Sequence, residues 1–395
     1  MDTVRKEVES LKDEVIKLRR DFHMHPELAF KEKRTAKIIE NYLKKCGLEV
    51  KIGIAKTGVV GLLRGKEKGK TILLRADMDA LPIEEMSKIP YKSVNEGVMH
   101  ACGHDAHTAM LLVAAKILSQ HKEEIKGNIK FVFQPSEEKD PGGAAKMIEE
   151  GVLEKPHVDR AYGLHLGNMF PCGVVAIKPG IFTAQADRFS IRITGKGGHG
   201  AYPHTSVDPV LIASHTVIAL QAIVGREVDP LQPAVLTVGK ISSGDTFNVI
   251  PEYAELLGTV RTLDPKIAHT VSKRIEQISK GVAKAFRGTA ELSYHFGYPP
   301  IINDSTETKF VQAIVKGVVG AGKIINAPIS MGGEDMSYFL KKVPGVFFWL
   351  GSQNKKKGLD KPHHSAYFNI DEDVLPIGVE MHVRIAMNNL KEFLL

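Results

Sequence analysis

The chain has 395 residues, more than the roughly 250–300 at which a single hydrophobic core stops growing, so two domains are expected. Its 43% hydrophobic and 25% charged content is ordinary for a folded globular protein. The net charge of +7 comes from Lys and Arg scattered without a block of one sign, which argues against a nucleic-acid groove and suits a small anionic substrate.

At the N-terminus, Val4, Val8, Leu11, Val15 and Leu18 fall on one face of a predicted helix. This segment lacks the apolar stretch of a secretory signal, and no apolar run reaches the roughly 18 residues of a membrane span, so no membrane partner is expected. The three cysteines, Cys46, Cys102 and Cys172, show no framework spacing. They point to a reducing cytoplasm rather than to disulfides.

From the start to about residue 183, strands and helices alternate. Apolar strands are predicted at 58–63, 71–76, 128–133 and 160–166, and helices at 32–46, 104–121 and 143–150. That alternation predicts an α/β fold: a mixed, mostly parallel sheet with helices on both faces, whose ligand sits outside the carboxyl ends of the strands. The pattern changes near Ala184. Strand 188–194, a helix over about 207–225, strands 234–241 and 254–262, helix 265–286 and strand 289–296 follow in the order βαββαβ of a ferredoxin-like α+β unit. A second domain over 185–296 is therefore expected inside a first formed by 1–184 and 297–395. The first resumes with helix 305–319, a helix from Glu334, strand 346–351 and a closing helix after Asp371.

The stretch Met99-His100-Ala101-Cys102-Gly103-His104-Asp105-Ala106-His107 gathers a thiol, three imidazoles and a carboxylate in nine residues. A hydrolytic metal site needs ligands that leave a position for water and a carboxylate beside that water. Cys102 and His104 flank a single Gly, which lets both face one ion. In Glu137-Glu138, consecutive residues leaving a strand point in different directions, so one can bind metal while the other faces water. His165 and His364 complete the candidate ligands. Each alone has an ordinary structural explanation, but together they fall at strand ends of one sheet. His23-Met24-His25 and His215 are read as structural, the latter in the core, and His107 as support for His104 rather than a ligand.

In order along the chain stand His23-Met24-His25-Pro26-Glu27, Leu74-Arg75-Ala76-Asp77-Met78-Asp79-Ala80-Leu81-Pro82, Cys102-Gly103-His104-Asp105, Phe133-Gln134-Pro135-Ser136-Glu137-Glu138, Gly198-His199 and Met331-Gly332-Gly333-Glu334-Asp335. Over nearly its whole length the chain resembles the co-catalytic metal amidohydrolases: carboxypeptidases, aminoacylases, hippurate hydrolases and auxin-conjugate hydrolases. The resemblance implies a zinc-peptidase-like catalytic domain with an inserted lid and dimerisation domain. It implies metal ligation by Cys102, His104, Glu138, His165 and His364, and general-base duty for Glu137. Asp79 would orient the site from behind. His199 would reach an active site across a homodimer and stabilise the oxyanion, while Asn248 and Arg261 would hold a substrate carboxylate. Asp77 stands where the di-zinc branch has a histidine, and the Cys102 thiol lies near the expected bridging carboxylate; both features match the hippurate and auxin-conjugate branch.

The expected cofactor is therefore one or two divalent ions, Zn²⁺ first, with Mn²⁺, Co²⁺ or Ni²⁺ as alternatives. The expected reaction is hydrolysis of the amide bond of a small N-acylated amino acid or of a peptide, by a homodimer formed through the lid or a dimer of such dimers. A dipeptidase or an N-acetyl-diamino-acid deacetylase is the nearest alternative. A metal-binding scaffold without catalysis is the different-class alternative, and it has no need of both glutamates.

Overall fold

The computed structural model describes residues 3–392. The chain divides into two compact units: one drawn from Met1–Phe182, Ile302–Pro328 and Asp335–Leu395, the other from Thr183–Ile301 and Ile329–Glu334.

The first unit is built on an eight-stranded sheet. Its order is Glu49–Ile54, Gly58–Arg64, Lys126–Gln134, Glu67–Asp77, Arg160–Pro171, Gly345–Gln353, Val175–Ile177 and Ile324–Asn326. Glu67–Asp77 runs parallel to both Lys126–Gln134 and Arg160–Pro171, and the latter runs parallel to Gly345–Gln353. These strands read as continuous apolar runs because both faces are covered: Ile72, Leu73, Leu74, Phe131, Val132 and Phe133 are all buried. Their carboxyl ends, at Asp77, Gln134 and beyond His165, lie along one edge of the sheet.

The helix His104–Gln120 has almost no exposed side. It packs between the sheet and the helices Lys12–Met24 and Val374–Glu392. Gly103, at φ 95, lets the chain turn from Cys102 straight into this helix.

Several elements differ from expectation. The N-terminal helix breaks at Leu11 into Thr3–Ser10 and Lys12–Met24, with Val4, Val8 and Val15 buried. The strands Glu49–Ile54, Val175–Ile177 and Ile324–Asn326 were not expected; the first alternates Val50, Ile52 and Ile54 but is a mostly exposed edge, and the others are three residues long. The helix expected from Glu334 begins at Met336.

The second unit is a four-stranded antiparallel sheet in the order Ala234–Ser243, Tyr253–Thr262, Gln185–Thr194 and Thr289–Tyr298. With the helices Pro209–Ala222 and Pro265–Ala285 this is the ferredoxin-like arrangement. Phe189, Ile191, Ile193, Leu256 and Val260 from the sheet meet Ile212, Leu220, Val271 and Ile275 from the helices. Each helix starts at an aspartate followed by proline, and Asp208 and Asp264 accept first-turn amides. The segment 329–334 joins this unit through Ala184 N–H donating to Ser330 O at 2.9 Å.

The stretch Pro209–Glu227 corrects two expectations. Among the described residues it is the one helix long and apolar enough, by length and composition alone, to cross a membrane. Ile212, Ala213, Leu220 and Ile223 bury one side on the sheet, while Val210, Leu211 and Ile218 stay exposed. His215 lies on the exposed side rather than in the core, stacked on Phe286 at 4.8 Å.

Beneath the sheet edge lies a buried ionic network. Arg19 is fully buried; its Nε donates to Asp105 Oδ2 at 2.8 Å and its Nη2 to Asn369 Oδ1 at 3.0 Å. His23 Nδ1 meets the same Asp105 oxygen at 2.7 Å, and its Nε2 lies 3.3 Å from Glu85 Oε1. Burial would raise the Asp105 carboxyl, but Arg19 and His23 hold it well below the usual range. His23 therefore braces the residue that follows His104. Removing one partner of such a pair strands a charge, so Arg19→Met is expected to destabilise the protein by about 3–5 kcal/mol in chemical denaturation. Wild-type stability in that variant would contradict the role given to the network.

Candidate metal centre

Within the first unit, side chains from four separate stretches meet at the sheet edge. Cys102 Sγ lies 3.5 Å from His165 Nε2. Glu138 Oε1 lies 3.3 Å from His364 Nε2 and 3.9 Å from His104 Nε2. Ligand-capable atoms of Cys102, Glu138 and His364, and those of His104, Glu137 and Glu138, lie within 4.8 Å of one another. A further such group is Asp77, His104, His107 and His165.

The hydrogen bonds decide which of these atoms face inward. His104 Nδ1 donates to Asp79 O at 2.9 Å, and His165 Nδ1 donates to Leu166 O at 2.7 Å, so in the neutral form each presents an Nε2 lone pair. His107 is different: Nδ1 donates to Asp77 Oδ1 at 2.6 Å and Nε2 accepts from Leu166 N–H at 2.9 Å. Both its nitrogens are committed, and it orients Asp77 from behind. Asp77 Oδ2 in turn accepts from Arg75 Nη1 at 2.6 Å. Burial would raise the Asp77 carboxyl, but His104, Arg75 and His107 bring it well below its ordinary value.

Asp79 does not reach into the cluster with a spare oxygen. Its Oδ1 accepts from Glu137 N–H at 2.9 Å and its Oδ2 from Glu138 N–H at 3.0 Å. One carboxylate thus holds the backbone of both glutamates. Ser136, just ahead of them, and His364 both have positive φ, 55 and 65, the kind of strained backbone found where side chains must be aimed.

Two buried atoms at the centre, His104 Nε2 and Glu138 Oε1, make no hydrogen bond. Stranded polar atoms of this kind are costly unless something pairs them. The surrounding potential is negative. Burial opposes a charged His104, yet Asp77, Asp79 and Glu138 outweigh it and raise the imidazole to about 10. Burial pushes the Cys102 thiol well up, and Glu138 and Glu137 add to the effect. A divalent cation reverses both preferences, taking thiolate and neutral imidazole together. The sulfur, nitrogen and oxygen donors and the two stranded atoms fit such an ion.

The residues singled out in the second unit are less enclosed. His199 is exposed; its Nδ1 accepts from Ala201 N–H at 3.1 Å, which leaves the proton on Nε2. Asn248 is also exposed and lies beside His199, because Val249 pairs with His199 in a two-stranded ribbon and Gly200 N–H donates to Asn248 O at 2.8 Å. Arg261 is half-buried on its strand, with Nη1 donating to Thr259 Oγ1 and to Val260 O at 3.1 Å. Burial lowers its guanidinium pKa against the opposing charge of Asp187.

Sequence reasoning missed the support beneath the centre. Asp335 accepts from Arg75 Nη2 at 2.8 Å, Gln134 Nε2 at 2.7 Å and Ala144 N–H at 3.1 Å. An arginine inside the apolar run Leu73-Leu74-Arg75-Ala76 was the available signal, since a buried cation needs carboxylate partners.

Residues 73–388 match the family model described as Peptidase family M20/M25/M40. Thermostable carboxypeptidase 2 of Saccharolobus solfataricus is 41% identical, over 98% of this chain and 99% of that protein. N-acetyl-L-cysteine deacetylase of Bacillus subtilis is 41% identical, over 93% of this chain and 86% of that protein. The crystal structure of the Bacillus subtilis YXEP protein, described as a dinuclear metal binding peptidase from the M20 family, superposes with a TM-score of 0.83 at 33% identity, covering 97% of this chain and 99% of that one. The chain belongs to peptidase family M20/M25/M40 and is a metal-dependent amidohydrolase acting on C–N bonds.

Proposed function

We propose that the protein hydrolyses amide bonds next to a free carboxylate, in N-acyl amino acids or at peptide C-termini, with Glu137 as general base. The observation that carries this reading is the convergence of Cys102, His104, Glu138, His165 and His364 around stranded buried atoms, with Glu137 in reach of the same atoms. Relatives named as a carboxypeptidase and as an N-acetyl-L-cysteine deacetylase support the two substrate classes.

Those converging residues would hold one or two divalent ions. The mixed donor set suits Zn²⁺, and tolerates Mn²⁺, Co²⁺ or Ni²⁺. When bound, such an ion polarises the scissile carbonyl and acidifies water. Glu137 then takes the proton of the attacking water on its carboxylate and returns it to the leaving amine. Asp79 keeps that carboxylate aimed by holding its backbone amide. His199, protonated on Nε2, donates to the oxyanion, a stabilisation that can amount to several kcal/mol. Asn248 and Arg261 bind the substrate carboxylate.

In this reading the protein is a homodimer through its ferredoxin-like unit, extended in some settings to a dimer of dimers, and His199 serves the partner's site. The exposed apolar side of Val210, Leu211 and Ile218 and the open edge of the strand Ala234–Ser243 support it. A reducing, cytoplasmic location agrees with three free cysteines.

The two adjacent glutamates separate the roles. Glu137→Gln should keep its metal and lose about 10²–10⁴-fold in kcat, the usual contribution of a general base. Glu138→Gln should lose metal as well, measured by elemental analysis beside a blocked amino-acid assay. Near-normal turnover in Glu137→Gln would move the base elsewhere.

The carboxylate clamp is tested on the substrate. Amidating the carboxylate should cost about 1.5–3 kcal/mol in kcat/KM, the usual worth of a charged hydrogen bond, and much less in an Arg261→Ala background. Equal rates on acid and amide would remove Asn248 and Arg261 from substrate binding.

The shared site is tested by complementation. Mixing His199→Ala with Glu137→Gln subunits should restore activity, because the mixed dimer contains one intact site. Mixed dimers that form and stay inactive would return His199 to its own subunit.

A further inference from the structure

Glu32 stands one residue ahead of the helix Lys33–Lys45, where a polar side chain ordinarily accepts the first helical amides. Here Glu27 takes that role: its carboxylate accepts from Arg34 N–H at 3.0 Å and Thr35 N–H at 2.8 Å. The Glu32 side chain is thereby released from its own helix, and it is fully buried. Its Oε1 accepts from Phe30 N–H at 2.9 Å and from Ser136 N–H at 3.0 Å; its Oε2 accepts from the Thr57 hydroxyl at 2.5 Å.

Ser136 is the residue immediately before Glu137-Glu138. It is buried, and it holds a left-handed φ of 55 that a residue with a Cβ adopts only at a cost. Its carbonyl is held by Gly143 N–H at 3.0 Å, at a point where a side chain on residue 143 would fall 2.0 Å from Pro135 O. Together with Asp79, Glu32 completes a run in which the successive amides of residues 136, 137 and 138 each end on a buried carboxylate oxygen.

We propose that Glu32 is a positioning residue for the Glu137–Glu138 pair: by accepting the Ser136 amide it maintains the left-handed turn that sets the direction in which both carboxylates leave the strand. The kinetic consequence rests on the assignment of Glu137 as general base; the structural consequence does not. Burial raises the Glu32 carboxyl to about 7, against the hydrogen bond from Thr57.

The test compares Glu32→Gln, Glu32→Asp and Glu32→Ala in the full-length protein with saturating Zn²⁺, reading kcat and KM on a blocked amino acid and amide hydrogen exchange along the chain. Glu32→Gln keeps the acceptor at the same length and should stay near wild type. Glu32→Asp keeps the carboxyl group but is one methylene short, and it should lose about ten- to a hundredfold in kcat with little change in KM, as small misplacements of catalytic groups do. Exchange should quicken locally at residues 136–138 in Glu32→Asp and Glu32→Ala. If Glu32→Ala fails to fold, Glu32→Asp carries the comparison. Wild-type kcat and exchange in Glu32→Asp would overturn the proposal, as would exchange that quickens equally throughout the chain. Glu137→Gln, run alongside, keeps the two assignments apart: if it remains active the base assignment falls, and exchange at 136–138 still judges Glu32.

Discussion

The carboxylate of Asp79 holds the backbone amides of Glu137 and Glu138, one on each oxygen, and the candidate centre depends on that bond pair. Asp79 lies just beyond the strand Glu67–Asp77, and the glutamates just beyond Lys126–Gln134, its parallel neighbour. Parallel strands bring their carboxyl ends to the same edge, so the two loops meet there as a consequence of topology. The hydrogen bonds then convert proximity into a fixed orientation. Without them, a buried and a half-buried amide would lose their acceptors and the glutamate side chains would have no set direction.

Charge is the second constraint. The edge of the sheet collects Asp77, Asp79, Glu137 and Glu138 at positions with little access to water. Arg75 neutralises part of this from inside the sheet by binding Asp77 on one side and Asp335 on the other. His107 supports Asp77 with one nitrogen and the backbone of Leu166 with the other. The remaining imbalance falls on His104, Cys102 and Glu138, where it raises the histidine and the thiol and leaves His104 Nε2 and Glu138 Oε1 without a hydrogen bond. The outer network ties Arg19 and His23 to one oxygen of Asp105. A largely buried site with surplus negative charge, open to solvent at His364, is one that a divalent cation completes.

Much of this was legible in the chain. The helix 305–319 and the central strands were readable because apolar periodicity survives wherever an element is buried on a regular face. The strand and helix order of the ferredoxin-like sheet was readable from the change to alternating strands such as Phe189, Ile191 and Ile193, but the return of residues 329–334 to that unit was not. The edge strand Glu49–Ile54 was missed although Val50, Ile52 and Ile54 alternate along it; it pairs with Gly58–Arg64 at the sheet edge and stays mostly exposed. His215 was misread because the helix Pro209–Ala222 is apolar on both sides, and composition alone does not say which side meets the sheet.

The sequence by itself determined the α/β character of the first unit, the ferredoxin-like order of the second, and the set of thiol, imidazole and carboxylate groups available to a metal. These depend on local periodicity and on residue chemistry, which a linear string carries. Only the tertiary structure decided the roles within that set. It committed both nitrogens of His107 to Asp77 and Leu166, turned Asp79 onto two amides, and carried Glu32 past its own helix to Ser136. Such roles rest on hydrogen bonds between residues as far as 104 positions apart in the chain. Their geometry exists only once the parallel sheet has brought the strand ends together, and no local pattern encodes it.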